Sequence, residues 1–225
     1  MILLGAAVNA ATIIVGGLVG LFLGKLLPER LQKTLMNALA LVVIGIAIPG
    51  ICQSQKPLVP ILSMVLGTLL GELVNLDGAV LHLGDKLQQK TGGKGRFTEG
   101  FVNGTMVFAV GAMSIMGGLS SGLQCDHTVL FSKSVIDGVS ALVFASTLGI
   151  GVACSAVPVF FWEGLIAVGA SLLSPLLRAE VIAEINSVGS LLIMAIGLNL
   201  LGLTKIRVMN MVPAMLLPLL LCRFL

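Results

Sequence analysis

Eight runs of about 20 mostly apolar residues follow one another along this chain of 225 residues. A helix needs about 20 such residues to cross the roughly 30 Å hydrocarbon layer of a bilayer, where backbone polar groups must be satisfied internally. The pattern therefore predicts an all-α integral membrane protein with about eight transmembrane helices. The predicted spans are 6–24, 34–53, 58–75, 99–120, 131–151, 156–175, 183–203 and 206–224.

The composition excludes an ordinary soluble domain. Only 10% of the residues are charged and 57% are hydrophobic, whereas soluble domains average about 25% charged residues. So few charges cannot cover a water-facing surface, so the lipid bilayer is the expected partner of the outer surface. The net charge of +3 comes from basic residues in short loops, and we therefore predict no nucleic-acid partner.

The distribution of lysine and arginine predicts the orientation. Nine of them fall on the side that holds the connectors 25–33, 76–98 and 205–207, and four fall on the other side. Cytoplasmic loops carry an excess of Lys and Arg. We therefore expect these three connectors to face the cytoplasm and both termini to face outward.

Motifs of soluble catalysis and metal binding are missing from the sequence. The four cysteines are far apart, and no CxxC pair, HExxH motif, Walker loop or nucleophile elbow is present. We predict that the protein is not an enzyme, binds no metal and needs no cofactor.

The stretch Gly117–Gly138 holds the most informative polar residues. A glycine- and serine-rich segment is followed by Asp126, then by Lys133, and four residues later by Asp137. On a helix Lys133 and Asp137 lie one turn apart and can pair. A carboxylate inside the apolar layer is costly and usually functional. We predict that Asp126 lies at an outer mouth and that the Lys133–Asp137 pair lies inside it.

Two further polar residues stand inside predicted spans. Glu163 lies near the middle of the sixth span, and Asn103 lies in the fourth, just before a glycine- and methionine-rich run. A carboxylate or amide at that depth needs a partner or a wet cavity. Either residue could bind a solute or ion. Alternatively, Asn103 would only hold helices together, and Glu163 would lie nearer the membrane surface than the predicted span implies.

An internal repeat is visible in the apolar sequence. The segment 39–50 resembles 191–202, and each precedes a proline-containing span. In a single domain 1–225 with eight spans, the segments 6–75 and 156–224 would run in opposite senses around a central helix pair, 99–151, with the polar connector 76–98 between. This 3+3 inverted repeat is the architecture of many secondary transporters.

Four motifs carry a family resemblance. They are GxxxNxxxIxxGGxxG at 5–20, GLxxDxxxLxxKSxxDG at 122–138, FASTLGIGV at 144–152 and GLNLLGLxKIRVxNMxPA at 197–214. Together they resemble the YdfK/YqgA-like bacterial inner-membrane proteins, a domain-of-unknown-function family. The resemblance implies a multi-spanning protein of the bacterial inner membrane and supplies no substrate.

These observations favour a secondary transporter or channel for a small solute or ion. Because the deep charges are mostly acidic, a cation or proton-coupled path is favoured, while an anion path around Lys133 stays open. The competing hypothesis is a non-transporting membrane scaffold or partner subunit, with its polar groups fully paired. Glycine-rich helix faces would also permit a homo-oligomer.

Overall fold

The structure, a computed structural model, describes residues 1–26, 28–79, 82 and 97–224. Its regular elements in those ranges are helices, and no strand occurs there. This confirms the predicted all-α class. Most of the predicted connector 76–98 lies outside the described residues.

Helices of very different lengths make up the described chain, from single turns to a helix of 23 residues. The helices are α1 Leu4–Gly24, α2 Glu29–Ile51, α3 Leu58–Val74, α4 Phe97–Ala109, α5 Ala112–Gln124, α6 Thr128–Leu148, α7 Gly151–Cys154, α8 Ala156–Val168, α9 Ala170–Leu173, α10 Ala179–Leu200, α11 Val208–Met211 and α12 Pro218–Leu221, with a 3₁₀ turn Val212–Leu216 between the last two.

Five segments of the described chain are long and apolar enough to cross a membrane: α1, α2, α6, α7 with α8, and α10. The bent pair α4–α5 makes a sixth if it counts as one span. The third and eighth predicted spans correspond to shorter apolar helices, Leu58–Val74 and Val208–Leu221. The count from helix length is therefore five or six, below the eight expected from the apolar runs.

The fourth predicted span, 99–120, is not one straight helix. It breaks between α4 and α5, whose axes differ by 60°. Gly111 lies at the break with φ of +139°, a backbone conformation that is open to glycine and strained for residues with a Cβ. The break leaves helix ends, with their unpaired backbone groups, near the middle of an apolar run.

Helices α1 and α6 lie very close together, and their approach depends on glycine. A Cβ added to Gly20 would overlap the backbone carbonyl oxygen of Leu142, and Gly16 and Gly24 meet α6 in the same way. Contacts advance in step along both helices: positions 16, 20 and 24 of α1 meet positions 138, 142 and 146 of α6. The two helices are therefore parallel, and small residues let their backbones touch.

Helices α2 and α10 pack through the largest buried apolar cluster. Gly50 of α2 lies against Ser190, and Gly197 of α10 lies against Ile44. The contact positions rise along one helix as they fall along the other, so the pair is antiparallel. Fully buried side chains such as Leu192 and Ile196 fill the interface.

A buried carboxylate ties the α2–α3 loop to α10. Glu184 is 0% exposed. It accepts hydrogen bonds from Ser54 Oγ at 2.7 Å and from the backbone N–H groups of Gln55 and Lys56 at 2.7 and 2.8 Å. Three donors satisfy this carboxylate, and through it the loop that precedes α3 is held on α10.

We expect Glu184→Ala to destabilise the protein by about 1–3 kcal/mol, because the loop donors lose their acceptor. The matched control is Glu180→Ala, which removes an exposed ion pair to Lys56 at 3.7 Å and should cost about 0–1 kcal/mol. Denaturant unfolding in detergent, followed by circular dichroism, compares the two. Equal losses in both variants would contradict a structural role for the buried carboxylate.

Candidate functional site

Three ionisable side chains meet inside the bundle. Lys133 and Asp137 lie on α6, and Glu163 lies on α8, at 5%, 6% and 0% exposure respectively. Asp137 is the tenth residue of the 21-residue helix α6, which places it about 14 Å along an axis of roughly 30 Å. Asp137 therefore lies near the middle of a helix that is long and apolar enough to cross a membrane, the position where an ionised side chain is most costly.

Lys133 is the centre of the group. Its ammonium forms an ion pair and hydrogen bond with Asp137, one turn away on the same helix. It also lies 3.4 Å from Glu163 Oε1 and donates to the backbone carbonyl of Phe108 at 2.6 Å. One ammonium thus bridges two carboxylates and the end of a third helix, α4.

Asn9 completes the group from α1. Its side-chain Nδ2 donates to Asp137 Oδ2 at 3.0 Å and to Glu163 Oε1 at 2.9 Å. Asn9 is 0% exposed, so both amide hydrogens are used inside the protein. Four helices now converge: α1, α4, α6 and α8.

The break between α4 and α5 places a serine hydroxyl beside the same group. Ser114, in the first turn of α5, lies 3.2 Å from Glu163 Oε1 and 3.3 Å from the Phe108 carbonyl oxygen. The Lys133 ammonium therefore lies at the carboxyl end of α4, and the Glu163 carboxylate lies near the amino end of α5. Each charge is next to the helix terminus of opposite partial charge.

Two oxygens of the group have no hydrogen-bond partner among the described residues. They are Glu163 Oε2 and Asn9 Oδ1. Buried polar atoms are normally paired, and each exception calls for an explanation. The donors of the group therefore have acceptors, and two of its acceptor oxygens have no donor among the described residues.

We call Asn9, Ser114, Lys133, Asp137 and Glu163 the buried polar cluster. The sequence predicted three of its members, and the structure brings Lys133, Asp137 and Glu163 into contact although Asp137 and Glu163 are 26 positions apart. Their role in binding stays a prediction.

Asp126 lies away from the buried polar cluster, in the loop between α5 and α6. It accepts hydrogen bonds from the Thr128 hydroxyl at 2.7 Å and the Thr128 backbone N–H at 3.0 Å. These bonds, the hydroxyl bond first, lower the pKa of the Asp126 carboxyl below its ordinary value. The carboxylate is exposed and positions the first turn of α6, and the predicted outer mouth stays untested.

Asn103 lies half-buried on α4, about five residues before the Phe108 carbonyl. Its side chain makes no hydrogen bond to the buried polar cluster among the described residues. Asn9 is the amide that joins the cluster instead. The position of Asn9 in the sequence indicated that it is buried at a helix contact. Asn9, Gly16 and Gly20 share one face of α1, and that face packs on α6.

A cavity of about 270 Å³ lies beside the helix break. Its walls come from α4, α8 and the C-terminal segment, and include Thr105, Ala109, Val110 and Trp162. The Thr105 hydroxyl and the Trp162 indole N–H are buried without a partner in the described chain. The lining of this space is almost entirely apolar, and Trp162 directly precedes Glu163 in the chain.

The family model described as "Protein of unknown function (DUF554)" matches residues 4–223. The chain belongs to this family. Two relatives of the DUF554 chain extend over nearly its whole length. The "Uncharacterized membrane protein YdfK" of Bacillus subtilis (strain 168) is 32% identical over 218 residues, covering 95% of this chain and 93% of YdfK.

The "Uncharacterized protein YqgA" of Escherichia coli (strain K12) is 30% identical over 220 residues, covering 95% of this DUF554 chain and 94% of YqgA. No solved structure matches the chain significantly. The matches confirm the resemblance drawn from the four sequence motifs, and the name of YdfK agrees with a membrane protein. They name no substrate or reaction for DUF554 proteins.

Proposed function

We propose that this membrane protein is a secondary transporter or channel for a small solute or ion, coupled to a proton or another cation. The observation that carries the proposal is the buried polar cluster, in which two carboxylates and one ammonium meet at a broken helix near mid-depth. Ionisable residues and interrupted helices at this depth are features of transport pathways.

The charge of the cluster favours a cation. With all three groups ionised, Asp137 and Glu163 contribute two negative charges and Lys133 one positive charge. One further positive charge would balance the cluster in a region where unbalanced charge is costly. An anion would add to the imbalance, so the anion path around Lys133 is the weaker alternative.

The packing directions support an inverted repeat. A repeat that relates 6–75 to 156–224 would make α8 the counterpart of α1, α10 the counterpart of α2, and the C-terminal segment the counterpart of α3. Gly67 and Gly71 of α3 lie against Ala214 and Asn210, so this pair is antiparallel, as α2 and α10 are. Partners related by a two-fold axis in the membrane plane would run in opposite directions.

The central helices fit the same two-fold relation between the repeats. Gly118 and Gly122 of α5 lie against Ile166 and Ala170, so α5 runs parallel to the α8–α9 segment. The parallel α1–α6 pair is the counterpart that an inverted repeat requires. With eight crossings, two would be shorter than a full span, the helices Leu58–Val74 and Val208–Leu221.

The cavity beside the break is a reasonable place for a solute. Its almost entirely apolar walls would receive the apolar part of a small molecule. The cell inner membrane is the location that we propose, with the lysine-rich connectors facing the cytoplasm.

The test is ion flux into liposomes that contain the purified protein. Proton flux is followed with a trapped pH dye under a clamped membrane potential, and uptake of sodium and rubidium tracers is measured in parallel. We expect flux of at least one cation, and we expect Asp137→Asn and Glu163→Gln to reduce it to the level of protein-free liposomes. Glu180→Gln, at an exposed carboxylate, should leave it unchanged.

Absence of flux for every cation tested, with folded protein in the liposomes, would contradict the proposal and favour the scaffold hypothesis. One observation agrees with that alternative: Glu163 and Asp137 are 0% and 6% exposed, so the cluster is closed to bulk water in this conformation. A transporter must open it, and flux in the wild-type protein distinguishes the two hypotheses.

A further inference from the structure

The two unpartnered oxygens of the buried polar cluster belong to neighbouring groups. Glu163 Oε2 and Asn9 Oδ1 are both buried acceptors without a donor in the described part of the chain. Their other atoms already meet, because Asn9 Nδ2 donates to Glu163 Oε1 at 2.9 Å. A single hydrogen on the carboxyl group would convert one acceptor into a donor and could satisfy the other.

The orientation of the Asn9 amide follows from its surroundings. Its nitrogen lies between Asp137 Oδ2 and Glu163 Oε1. Turning the amide over would bring its oxygen against two carboxylate oxygens, with no hydrogen between them. The amide oxygen therefore contacts neither Asp137 Oδ2 nor Glu163 Oε1 as a hydrogen-bond acceptor, and it needs another donor.

Acid and amide groups are complementary when the acid is protonated. The amide N–H donates to one oxygen of the acid, and the O–H of the acid donates to the amide oxygen. Glu163 and Asn9 already make the first of these two bonds. Protonation at Oε2 supplies the donor that the second bond needs.

We propose that the ion exchanged at the cluster is a proton, carried on Glu163 Oε2 and donated to Asn9 Oδ1. This inference rests on the proposed function and names its coupling ion and binding atom. Release breaks the O–H bond, passes the proton to water, leaves Glu163 ionised and removes the donor from Asn9. Binding reverses each of these changes.

The neighbouring groups favour Glu163 over Asp137 as the carrier. Asp137 is directly paired with the Lys133 ammonium on its own helix, and that pair is neutral as a unit. Glu163 shares the ammonium at 3.4 Å and otherwise faces Asn9 from α1 and Ser114 from α5. With Glu163 protonated, the cluster as a whole is neutral.

A metal cation fits this site less well than a proton. The position between the two carboxylates is already taken by the Lys133 ammonium, which also donates to the Phe108 carbonyl. Hard metal cations take about six or more oxygen ligands, and the cluster has two unpartnered oxygens among the described residues. No group of three or more His, Cys, Asp or Glu residues arranged for a metal occurs in that part of the chain either.

The experiment is infrared difference spectroscopy of the full-length protein in liposomes as pH is varied. We expect a carbonyl band of a protonated carboxyl group that disappears at high pH and shifts in heavy water. The band should be lost in Glu163→Gln and kept in Glu180→Gln. In Asn9→Leu the band should move to higher frequency, because the acid loses its hydrogen-bond acceptor.

Asn9→Leu, and the wild-type protein in heavy water, keep the test decisive if Glu163→Gln does not fold. Loss of the band in Asp137→Asn instead, an unchanged band frequency in Asn9→Leu, or a band displaced by sodium at constant pH would each overturn the proposal. The readout needs no transport, so a Glu163 band without flux would refute only the transporter. Sodium-driven flux that is independent of pH would refute only the proton.

Discussion

Replacing Lys133 with methionine should destabilise the protein by about 3–5 kcal/mol, since it removes one partner of a buried ion pair. Methionine is one heavy atom shorter than lysine and keeps most of the volume of the side chain without the charge. Asp137 then loses its ammonium and keeps the Asn9 amide as its hydrogen-bond donor. The Phe108 carbonyl, at the end of α4, loses its charged donor as well.

The second variant of this experiment also removes the charge of Asp137, the direct partner of Lys133. In Lys133→Met with Asp137→Asn, the Asp137 charge is gone while Glu163 keeps its contacts with Asn9 and Ser114, and we expect part of the lost stability to return. Non-additive losses are typical of residues that share one network. Lys205→Met is the matched control, because Lys205 is exposed and lies outside the cluster.

Unfolding in mixed detergent micelles, followed by circular dichroism, gives the free energies for all four proteins. A Lys133→Met loss no larger than that of Lys205→Met would contradict the buried ion pair between Lys133 and Asp137. A double variant that is less stable than the single one would mean that Asp137 is held by partners other than Lys133.

The second large effect is expected at the parallel α1–α6 contact. Gly20→Ala should destabilise the protein by about 1–3 kcal/mol through overpacking. The added methyl group would overlap the Leu142 carbonyl oxygen, which belongs to the backbone and cannot turn aside like a side chain. Relief therefore requires the two helices to move apart along the face that carries Asn9.

Gly45→Ala is the control for this substitution. Gly45 is inside α2 and is exposed, and an added Cβ there would have no atom within 4 Å. There the same change should raise stability by up to about 1 kcal/mol, through helix propensity alone. Opposite signs for the two variants, measured by the same detergent unfolding assay, are the expected result, and a stabilised Gly20→Ala would contradict the close α1–α6 approach.

The length and apolar character of the runs predicted most of the helices well. The first, second and seventh predicted spans correspond to α1, α2 and α10, because each is a long run with polar residues at its ends. The bend in the fourth span was not predictable from hydropathy. Val110 and Gly111 lie in an uninterrupted apolar run, and hydropathy carries no information about the φ of Gly111.

Part of the buried polar cluster could be predicted from local spacing. Lys133 and Asp137 are one helical turn apart, and that separation is enough to pair them. Glu163 was recognisable as a carboxylate inside an apolar run. Its contact with Lys133 was not, because the two residues are 30 positions apart on different helices, and no periodicity spans that interval.

The sequence by itself determined that the protein lies in a lipid bilayer and that its fold is helical. It also determined which few polar residues must find partners inside the protein. Those properties follow from composition and from the cost of burying polar groups in hydrocarbon. The tertiary structure decided which partners they found: the break at Gly111, the approach of α1 to α6, and the meeting of Asn9, Lys133, Asp137 and Glu163. These contacts join residues far apart in the chain, and only packing brings them together.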